Sequence, residues 1–388
     1  MSKDKKMTNR ERALALLRYQ SYDRLPVVHF GYWRETLQKW ADEGHISPAL
    51  VKAHGDGNPA DYELNAILGW DFNWQCMFSP NSGLNPGFES KVIKTFEDGT
   101  RHILDSNGVV LCSMPDAGSI PAEISHTLTD RKSWEEQYKF RYEWTEQRVT
   151  GGRVLVNDKM VRYTEGGLDF LKKGERDYLY GLHCGSLFGG IRNIIGVEGS
   201  SYILCDDEPL YDDLITANAE VCYKNTKFAL ESGAKFDFAH FWEDICFKNG
   251  PLVIPDVFDE KVGPHYKRIT DLLTQYGVDI VSLDCDGMID SLIPTWFKNG
   301  VNTMFPIEVG TWDASIAPWR EKYGKGLRGV GGMNKTVFAR DRAAIDVEIE
   351  RLRPLIALGG YIPCPDHRIA PDAKWDLVKY YCERLRAL

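Results

Sequence analysis

A repeated alternation of short β-rich segments and longer helical patterns runs through the second part of this 388-residue chain. The β-rich segments are apolar runs bounded by turn residues. They lie at residues 178–184, 236–243, 279–286, 303–309, 327–332 and 360–363. The helical patterns lie at residues 209–232, 256–276, 288–298, 314–323, 337–358 and 372–388. Strand and helix repeated in this order are typical of a parallel α/β architecture.

The spacing of these segments favours a closed barrel over an open sheet. Successive strands are roughly 20 to 40 residues apart, and residues 25–30 form an earlier strand of the same kind. A doubly wound sheet is the alternative, and it usually has a glycine-rich first turn of the GxGxxG type. No such turn occurs in the expected place. The sequence therefore predicts an α/β fold of the (β/α)8 TIM barrel type.

The first 150 residues or so differ from the rest. A helix is predicted to start at Thr8, a capping residue that precedes Ala and Leu at helical spacing. Residues 88–112 alternate between polar and apolar side chains, with turns at Asp98-Gly99 and Asn107-Gly108. We expect an N-terminal helical extension and a small antiparallel β-meander inserted into one domain spanning residues 1–388, whose regular β/α units begin near residue 151.

Composition limits the partners and the compartment. The net charge of -9 and the isoelectric point near 5.6 argue against nucleic acid, whose binders concentrate Lys and Arg on one face. No apolar run is long enough to span a membrane, and the amino terminus lacks the apolar segment of a secretory signal. We expect a cytoplasmic protein whose nine cysteines are thiols or metal ligands.

The predicted strands end in an unusually polar set of residues. If the chain is a barrel, these residues share the face that holds the active site in barrel enzymes. The set comprises His29, His183, Cys184, His240, Glu243, Asp244, Cys246, Asp284, Cys285, Asp286, Glu308, Asn334, Lys335, Cys364, Asp366 and His367. One carboxylate at a strand end more often caps the next helix than does chemistry. Several consecutive strand ends of this kind instead indicate a functional site.

Five segments, taken in order, resemble the uroporphyrinogen decarboxylase superfamily. They read "ERALALL…DRLPV", "HFWEDICFKNGPLVIPDVF", "DCDGMIDSLIPTWFKNGVNTMFPIEV", "WREKYGKGLRGVGGMNKTVFA" and "GGYIPCPDHRIAPDAKWDLVKYY". The resemblance covers nearly the whole chain and implies a (β/α)8 barrel. The superfamily includes both decarboxylases and cobamide-dependent methyltransferases, so the resemblance leaves two chemistries open.

Decarboxylation fits this sequence poorly. The decarboxylases resemble one another in an early arginine-rich segment that holds the many carboxylates of their substrate. The corresponding segment here, "VVHFGYWRETLQKW", contains only Arg34. A substrate of this kind needs several bidentate cationic anchors, and acidic strand ends would repel it.

The methyltransferase members resemble one another in a zinc site made from an HxC pair and a Cys near the last strand. Here Asp284-Cys285-Asp286 stands at the HxC position, and Cys364 is a plausible counterpart of the last Cys. Asp, Glu, His and Cys can all bind a divalent metal. Neighbouring strand residues point to opposite sides, which favours the two carboxylates over Cys285. The predicted ligands are Glu243, Asp284, Asp286, Cys364 and His367, with Cys285 and Glu308 as reserves.

These observations give a functional hypothesis. The chain would transfer a methyl group from a small O- or N-methyl compound to a corrinoid carried by a partner protein, assisted by a divalent metal, in the first instance zinc. Glu243, Asp286 and Glu308 are the predicted catalytic residues. The predicted substrate-binding residues are His29, Tyr32, Trp33, His240 and Trp242.

Three alternatives stay open at this point. They are decarboxylation of a tetrapyrrole, a non-catalytic corrinoid- or tetrapyrrole-binding protein, and metal-free acid–base catalysis by Glu243, Asp286 and Glu308. A homodimer is common in the resembled superfamily and is an expectation on that ground alone.

Overall fold

A computed structural model describes residues 6–114 and 121–388 of the chain. Its strands are β1 (Val28–His29), β2 (Phe72–Asn73), β3 (Met77–Phe78), β4 (Lys91–Thr95), β5 (Arg101–Leu104), β6 (Val109–Ser113), β7 (Ala122–His126), β8 (Arg153–Val156), β9 (Lys159–Arg162), β10 (Gly181–His183), β11 (Phe238–Trp242), β12 (Cys246–Phe247), β13 (Gly250–Pro251), β14 (Val281–Asp284), β15 (Thr303–Ile307), β16 (Arg328–Met333) and β17 (Tyr361–Pro365).

The helices surround these strands. They are α1 (Asn9–Leu17), α2 (Arg34–Asp42), α3 (Pro48–Ala53), α4 (Pro59–Leu68), α5 (Arg131–Ser133), α6 (Gln147–Thr150), α7 (Leu168–Lys173), α8 (Gly189–Asp206), α9 (Glu208–Glu231), α10 (Pro255–Lys261), α11 (Gly263–Gln275), α12 (Ile293–Lys298), α13 (Val309–Trp312), α14 (Ile316–Tyr323), α15 (Arg342–Ala357) and α16 (Trp375–Arg386). Short π-helical or 3-10 segments occupy Trp134–Tyr138, Lys139–Tyr142, Tyr163–Gly167, Gly324–Gly326 and Lys335–Ala339.

Seven strands form one parallel sheet in the order β17-β16-β15-β14-β11-β10-β3. A separate parallel pair joins β1 to β2, and a single bridge joins Tyr32, just after β1, to Ile369, just after β17. The predicted parallel α/β fold is therefore confirmed. Closure into a barrel is not shown, because no sheet among the described residues closes on itself.

Aromatic rings connect the β1–β2 pair to the seven-stranded sheet. Phe30, next to β1, packs edge-on against Phe305 of β15 with ring centroids 4.5 Å apart, although these strands are not neighbours. Trp74 stacks on Phe238 of β11 at 4.7 Å. All five residues of β15 are buried, as expected for a strand covered on both faces. Side chains next to β1 and β2 therefore pack against the seven-stranded sheet.

The predictions for the second half hold, since each of the six β-rich segments contains a strand. The strand predicted at residues 25–30 is shorter and consists of β1 alone. The helix predicted at residues 256–276 is divided at Val262 into α10 and α11, and that predicted at residues 288–298 begins only at Ile293. The prediction omitted α8, which contains a kink at Gly196, where φ is +73°.

The first part of the chain contains the predicted helix after Thr8 and the predicted meander. Thr8 caps α1 in a capping box, with its side chain accepting from the Glu11 N–H and the Glu11 carboxylate accepting from the Thr8 N–H. Strands β4 to β7 form the predicted antiparallel meander, in sequence order. Residues 115–120, between β6 and β7, lie outside the described part. No helix within the described ranges has the length and apolar character needed to cross a membrane.

Candidate metal centre

Three metal-binding side chains meet where β14, β15 and β17 end. Asp286, Glu308 and His367 each follow one of these strands, and each offers a ligand atom within 4.8 Å of those of the other two. His367 Nε2 lies 3.3 Å from Asp286 Oδ2. Parallel strands bring their carboxyl ends to one edge, which explains how residues distant in sequence converge. We refer to these three residues as the triad.

The triad has unused binding capacity. Asp286 Oδ1 and His367 Nδ1 are buried and have no hydrogen-bond partner among the described residues. Glu308 accepts from the Gly287 N–H at 2.5 Å and from the Thr311 hydroxyl at 3.0 Å, and each of its oxygens retains a lone pair. Burial raises the pKa of Glu308, and the negative charge of Asp286 raises it further. Two carboxylates and one imidazole with free ligand atoms therefore fit a divalent metal.

Aromatic rings and Asp366 hold the triad in place. The Trp33 ring stacks on His367 with centroids 5.5 Å apart and an interplanar angle of 24°. Asp366 Oδ2 accepts from the backbone N–H groups of Val309 (3.1 Å) and Gly310 (2.7 Å), the two residues that follow Glu308. This pair of bonds fixes the loop that carries Glu308. Trp33, predicted to contact substrate, is thus placed beside the triad.

Lys335 supplies a positive charge near these carboxylates. Its Nζ donates to the Arg368 carbonyl at 3.0 Å. Burial lowers the pKa of Lys335, while the charges of Asp366, Asp286 and Glu308 act in the opposite direction. The Lys335 ammonium offsets part of the negative charge of the triad. Its hydrogen bond goes to the backbone carbonyl of Arg368.

Asp284 lies beside the triad and is not part of it. Its Oδ2 accepts from Gln75 Nε2 at 3.0 Å, and its side chain is buried. Burial, followed by the charge of Asp286, raises the pKa of Asp284 well above its usual range. Cys285 faces another neighbour, since its Sγ accepts from the Ile245 N–H at 3.4 Å. The alternation along the strand thus separates the thiol from Asp284.

Glu243, predicted as a ligand and as a catalytic group, is engaged elsewhere. Its carboxylate accepts from five donors, which are Ser186 Oγ, Leu187 N, Phe188 N, Gly189 N and Tyr266 Oη. The three N–H groups belong to the start of α8, where a helix has backbone donors without partners. Burial raises the pKa of Glu243, and these hydrogen bonds oppose that effect. Its geometry is that of a buried helix cap.

Cys364, another predicted ligand, is fully buried, and burial raises the pKa of its thiol well above the usual range. Among the described residues it does not belong to the group of side chains able to share one ion. Of the five predicted ligands, the structure brings together Asp286 and His367 and adds Glu308. The remaining roles stay predictions.

The other predicted substrate-binding residues lie in three different places. His29 and Tyr32 are buried under α4, with His29 Nδ1 accepting from the Gly31 N–H and Nε2 lying 3.8 Å from Asp61. His240 is buried inside the sheet, with Nδ1 2.7 Å from Ser282 Oγ, and burial lowers its pKa. Trp242 is half-buried and lines a cavity described below.

Sequence reasoning did not identify two neighbours of the site. Gln75 bonds Asp284, and Arg368 forms an ion pair with Asp56 at 2.6 Å. Gln75 lies in the three-residue gap between β2 and β3, which are too short to produce a periodic signal. Arg368 directly follows His367, but its partner is 312 residues away. No local sequence pattern predicts either contact.

No family model and no curated protein matches this chain. Its fold is similar to that of a methyltransferase from Methanosarcina mazei, with a TM-score of 0.59, 15% identity, and coverage of 98% of this chain and 99% of that one. Two further structures cover 94% of this chain and 98% of their own. One is a B12-independent methionine synthase from Shewanella sp. W3-18-1 in complex with selenomethionine (TM-score 0.46, 11% identity), and one is a putative vitamin-B12-independent methionine synthase from Listeria monocytogenes (0.40, 12%). The first similarity concerns the fold alone, and it agrees with the predicted α/β architecture.

Proposed function

We propose that this chain is a metal-assisted methyltransferase that moves a methyl group from a small O- or N-methyl compound to a corrinoid carried by a partner protein. The observation that carries the proposal is the triad, a set of side chains able to bind one metal ion at the ends of β14, β15 and β17. The fold of a solved methyltransferase supports it. In this proposal β1 and β2 complete a barrel, and the triad lies at its C-terminal mouth.

Asp286, Glu308 and His367 would hold a divalent metal, which we take to be zinc. Such an ion supplies a Lewis acid that stabilises the charge developing on the heteroatom that loses its methyl group. The ligands are two oxygens and one nitrogen without a thiolate, and this set leaves room for a substrate atom. Trp33 and Asp366 orient the ligands through the ring stack and the loop bonds described above.

Asp284 would hold a proton for the same step. Its raised pKa favours the neutral carboxyl, and Gln75 fixes one oxygen by donating to it. A neutral carboxyl next to the triad can donate to a departing oxygen or nitrogen. The corrinoid protein would approach over the strand ends, and a homodimer remains an expectation.

The test measures metal content and methyl transfer in the purified protein and in Asp286→Asn and His367→Gln variants. Wild-type protein should contain about one equivalent of zinc per chain, and each variant should lose it because one of three ligands is removed. Methyl transfer from a methylated donor to free cob(I)alamin, followed by its visible spectrum, should fall about 100-fold, which corresponds to about 2.7 kcal/mol.

Asp313→Asn is the matched control. Asp313 is exposed, lies at the same end of the fold, and has φ of +60°, which asparagine tolerates. It should retain both metal and activity. Methyl transfer that stays complete in metal-free protein would overturn the proposal.

Metal-free acid–base catalysis is the second candidate, favoured by the raised pKa of Glu308 beside Asp286. Two carboxyl groups in one site favour protonation of one of them. This candidate predicts activity that survives chelators and disappears in a Glu308→Gln variant. Loss of activity on chelation, with recovery on adding zinc, would exclude it.

A further inference from the structure

A cavity of about 210 Å³ opens at the same end of the parallel strands, on the side of β3, β10 and β11. His183 and Trp242, the last residues of β10 and β11, form part of its wall. Asn193 of α8 and Asn107 of the meander turn close other sides. The triad lies at the ends of β14, β15 and β17, so the cavity and the triad occupy different parts of one edge.

The lining has a distinctive chemical character. Aromatic and aliphatic groups come from Trp242, Tyr142, Leu84 and Ile194, and no Asp, Glu, Lys or Arg is among the described residues of the wall. A charged ligand would lose its hydration here without gaining an opposite charge, which disfavours its binding. An uncharged ligand avoids that cost.

Three lining side chains have hydrogen-bonding atoms without partners in the described part of the chain. His183 Nδ1 accepts from the Gly185 N–H at 3.0 Å, and burial lowers the pKa of His183 to about 4. The imidazole is therefore neutral near pH 7, and its proton is on Nε2, which can donate. Trp242 Nε1 and the Asn193 amide add further donors. These groups suit a ligand with acceptor oxygens.

The wall is held rigidly. Glu243 accepts from the N–H groups of Leu187, Phe188 and Gly189, as described above. From the other side, Asn218 Nδ2 donates to the Ser186 carbonyl at 2.6 Å and to the Leu187 carbonyl at 3.2 Å. The loop between β10 and α8 is thus fixed without a ligand, as expected for a preformed site.

We propose that this cavity binds one uncharged, single-ring small molecule that carries hydrogen-bond acceptors, with Trp242 against the ring and His183 Nε2 donating to an oxygen. The size agrees, since a cavity of roughly 150 Å³ accepts benzene and this one is larger by about the room that a few substituent atoms need. Trp242 pairs in register with Asp284, which connects the cavity to the carboxylates.

The identity of the methyl donor follows from this site and rests on the proposed function. If the chain transfers methyl groups from a donor bound in this cavity, that donor is an uncharged aryl methyl ether rather than a methylated acid or a quaternary amine. The binding itself does not depend on metal or on methyl transfer, and this independence allows the two proposals to fail separately.

The test measures binding of 2-methoxyphenol by calorimetry and by tryptophan fluorescence near neutral pH. The comparison ligand is 2-methoxybenzoate, which has the same ring and methoxy group with a negative charge. We expect saturable one-to-one binding of the phenol and at least tenfold weaker binding of the benzoate. Trp242→Leu and His183→Leu should each weaken phenol binding at least tenfold. Tyr202→Ala, on the exposed side of α8, should leave it unchanged.

Circular dichroism checks that each variant is folded. Asn193→Ala alters only one side of the cavity wall and serves as a milder variant, which should also weaken phenol binding. Equal or tighter binding of 2-methoxybenzoate would overturn the proposed site. Phenol binding that both Trp242→Leu and His183→Leu retain would also overturn it. Wild-type protein stripped of metal should bind the phenol within twofold of untreated protein. Binding without any metal or methyl transfer would refute the proposed function alone, and methyl transfer without phenol binding would refute the cavity site alone.

Discussion

At the scale of a single residue, the Glu243 carboxylate shows how one side chain can fix the start of a helix. Its two oxygens satisfy three backbone N–H groups at the start of α8 and two hydroxyl groups, one of them from Tyr266 on α11. Because α8 forms one wall of the 210 Å³ cavity, this cap also positions that wall. The residue joins two helices at the point where β11 ends.

Replacing Glu243 by Gln should destabilise the protein without removing metal. The amide keeps one acceptor oxygen, so at least one buried N–H loses its partner, and we expect the free energy of unfolding to fall by about 2–3 kcal/mol. Urea denaturation measures this, with Glu198→Gln on the exposed surface of α8 as the control, expected to change by less than about 0.5 kcal/mol. Unchanged stability together with lost zinc would instead make Glu243 a ligand.

The residues of the candidate site were predictable one at a time and not as a group. Asp286, Glu308 and His367 each stand out in the sequence as polar residues at strand ends. Which of the strand-end groups converge depends on strand order and on the local turn after each strand. Cys364 lies in β17, three residues before His367, yet its thiol is outside the triad. The alternation of side chains along β17 ends at Pro365, so it does not predict where the His367 side chain lies relative to Cys364.

Among elements, one buried carboxylate, that of Asp237 just before β11, joins α1 to the sheet. Asp237 accepts from Arg10 of α1 at 2.7 Å, from Arg176 at 2.9 Å and from the Tyr180 N–H at 2.9 Å. The side chain of Arg176 has no exposed surface. Removal of the carboxylate therefore leaves a buried guanidinium without its counter-charge.

An Asp237→Ala variant should lose about 3–5 kcal/mol of stability, as expected when one partner of a buried ion pair is removed. Chemical denaturation of the purified variant measures the loss. Glu350→Ala provides the comparison, because its pair with Arg353 is exposed on α15 and should contribute less than about 1 kcal/mol. A similar loss of stability in both variants would show that leaving the buried Arg176 guanidinium without a counter-charge costs no more than losing an exposed ion pair.

Element predictions succeeded where periodicity was strong and failed where the chain relies on distant partners. The helix α9 and the strand β15 follow their apolar patterns. The helix α8 contains four glycines, which lower helix propensity, and its N-terminal cap comes from Glu243, more than fifty residues along the chain. The strands β2 and β3 have two residues each. Such elements exist because of tertiary packing and have little local signal.

Across the whole molecule, the parallel sheet and the meander differ in how firmly they are held. Every residue of β15 is buried, whereas every residue of β4 is exposed. Local opening costs least where few apolar contacts are lost. The repeat of strands and helices predicted this parallel sheet, but closure depends on the short pair β1 and β2, and the sequence does not determine it.

Hydrogen exchange followed by mass spectrometry should detect this difference. After correction for intrinsic rates, amides of residues 91–95 should exchange at least about 100-fold faster than those of residues 303–307, because the meander opens without unfolding the sheet. Equal protection of both segments would mean that the meander and the sheet unfold together.

The position of Asn107 connects these two parts of the molecule. It lies in the turn between β5 and β6, on the insertion, and yet it closes one side of the cavity, whereas the triad is built entirely on the ends of sheet strands. In the proposed sites, one side of the cavity wall therefore comes from the insertion, whereas His183, Trp242 and the three proposed metal ligands come from the ends of sheet strands. Exchange of this surface hairpin would change one side of the cavity and leave the proposed metal ligands unaltered.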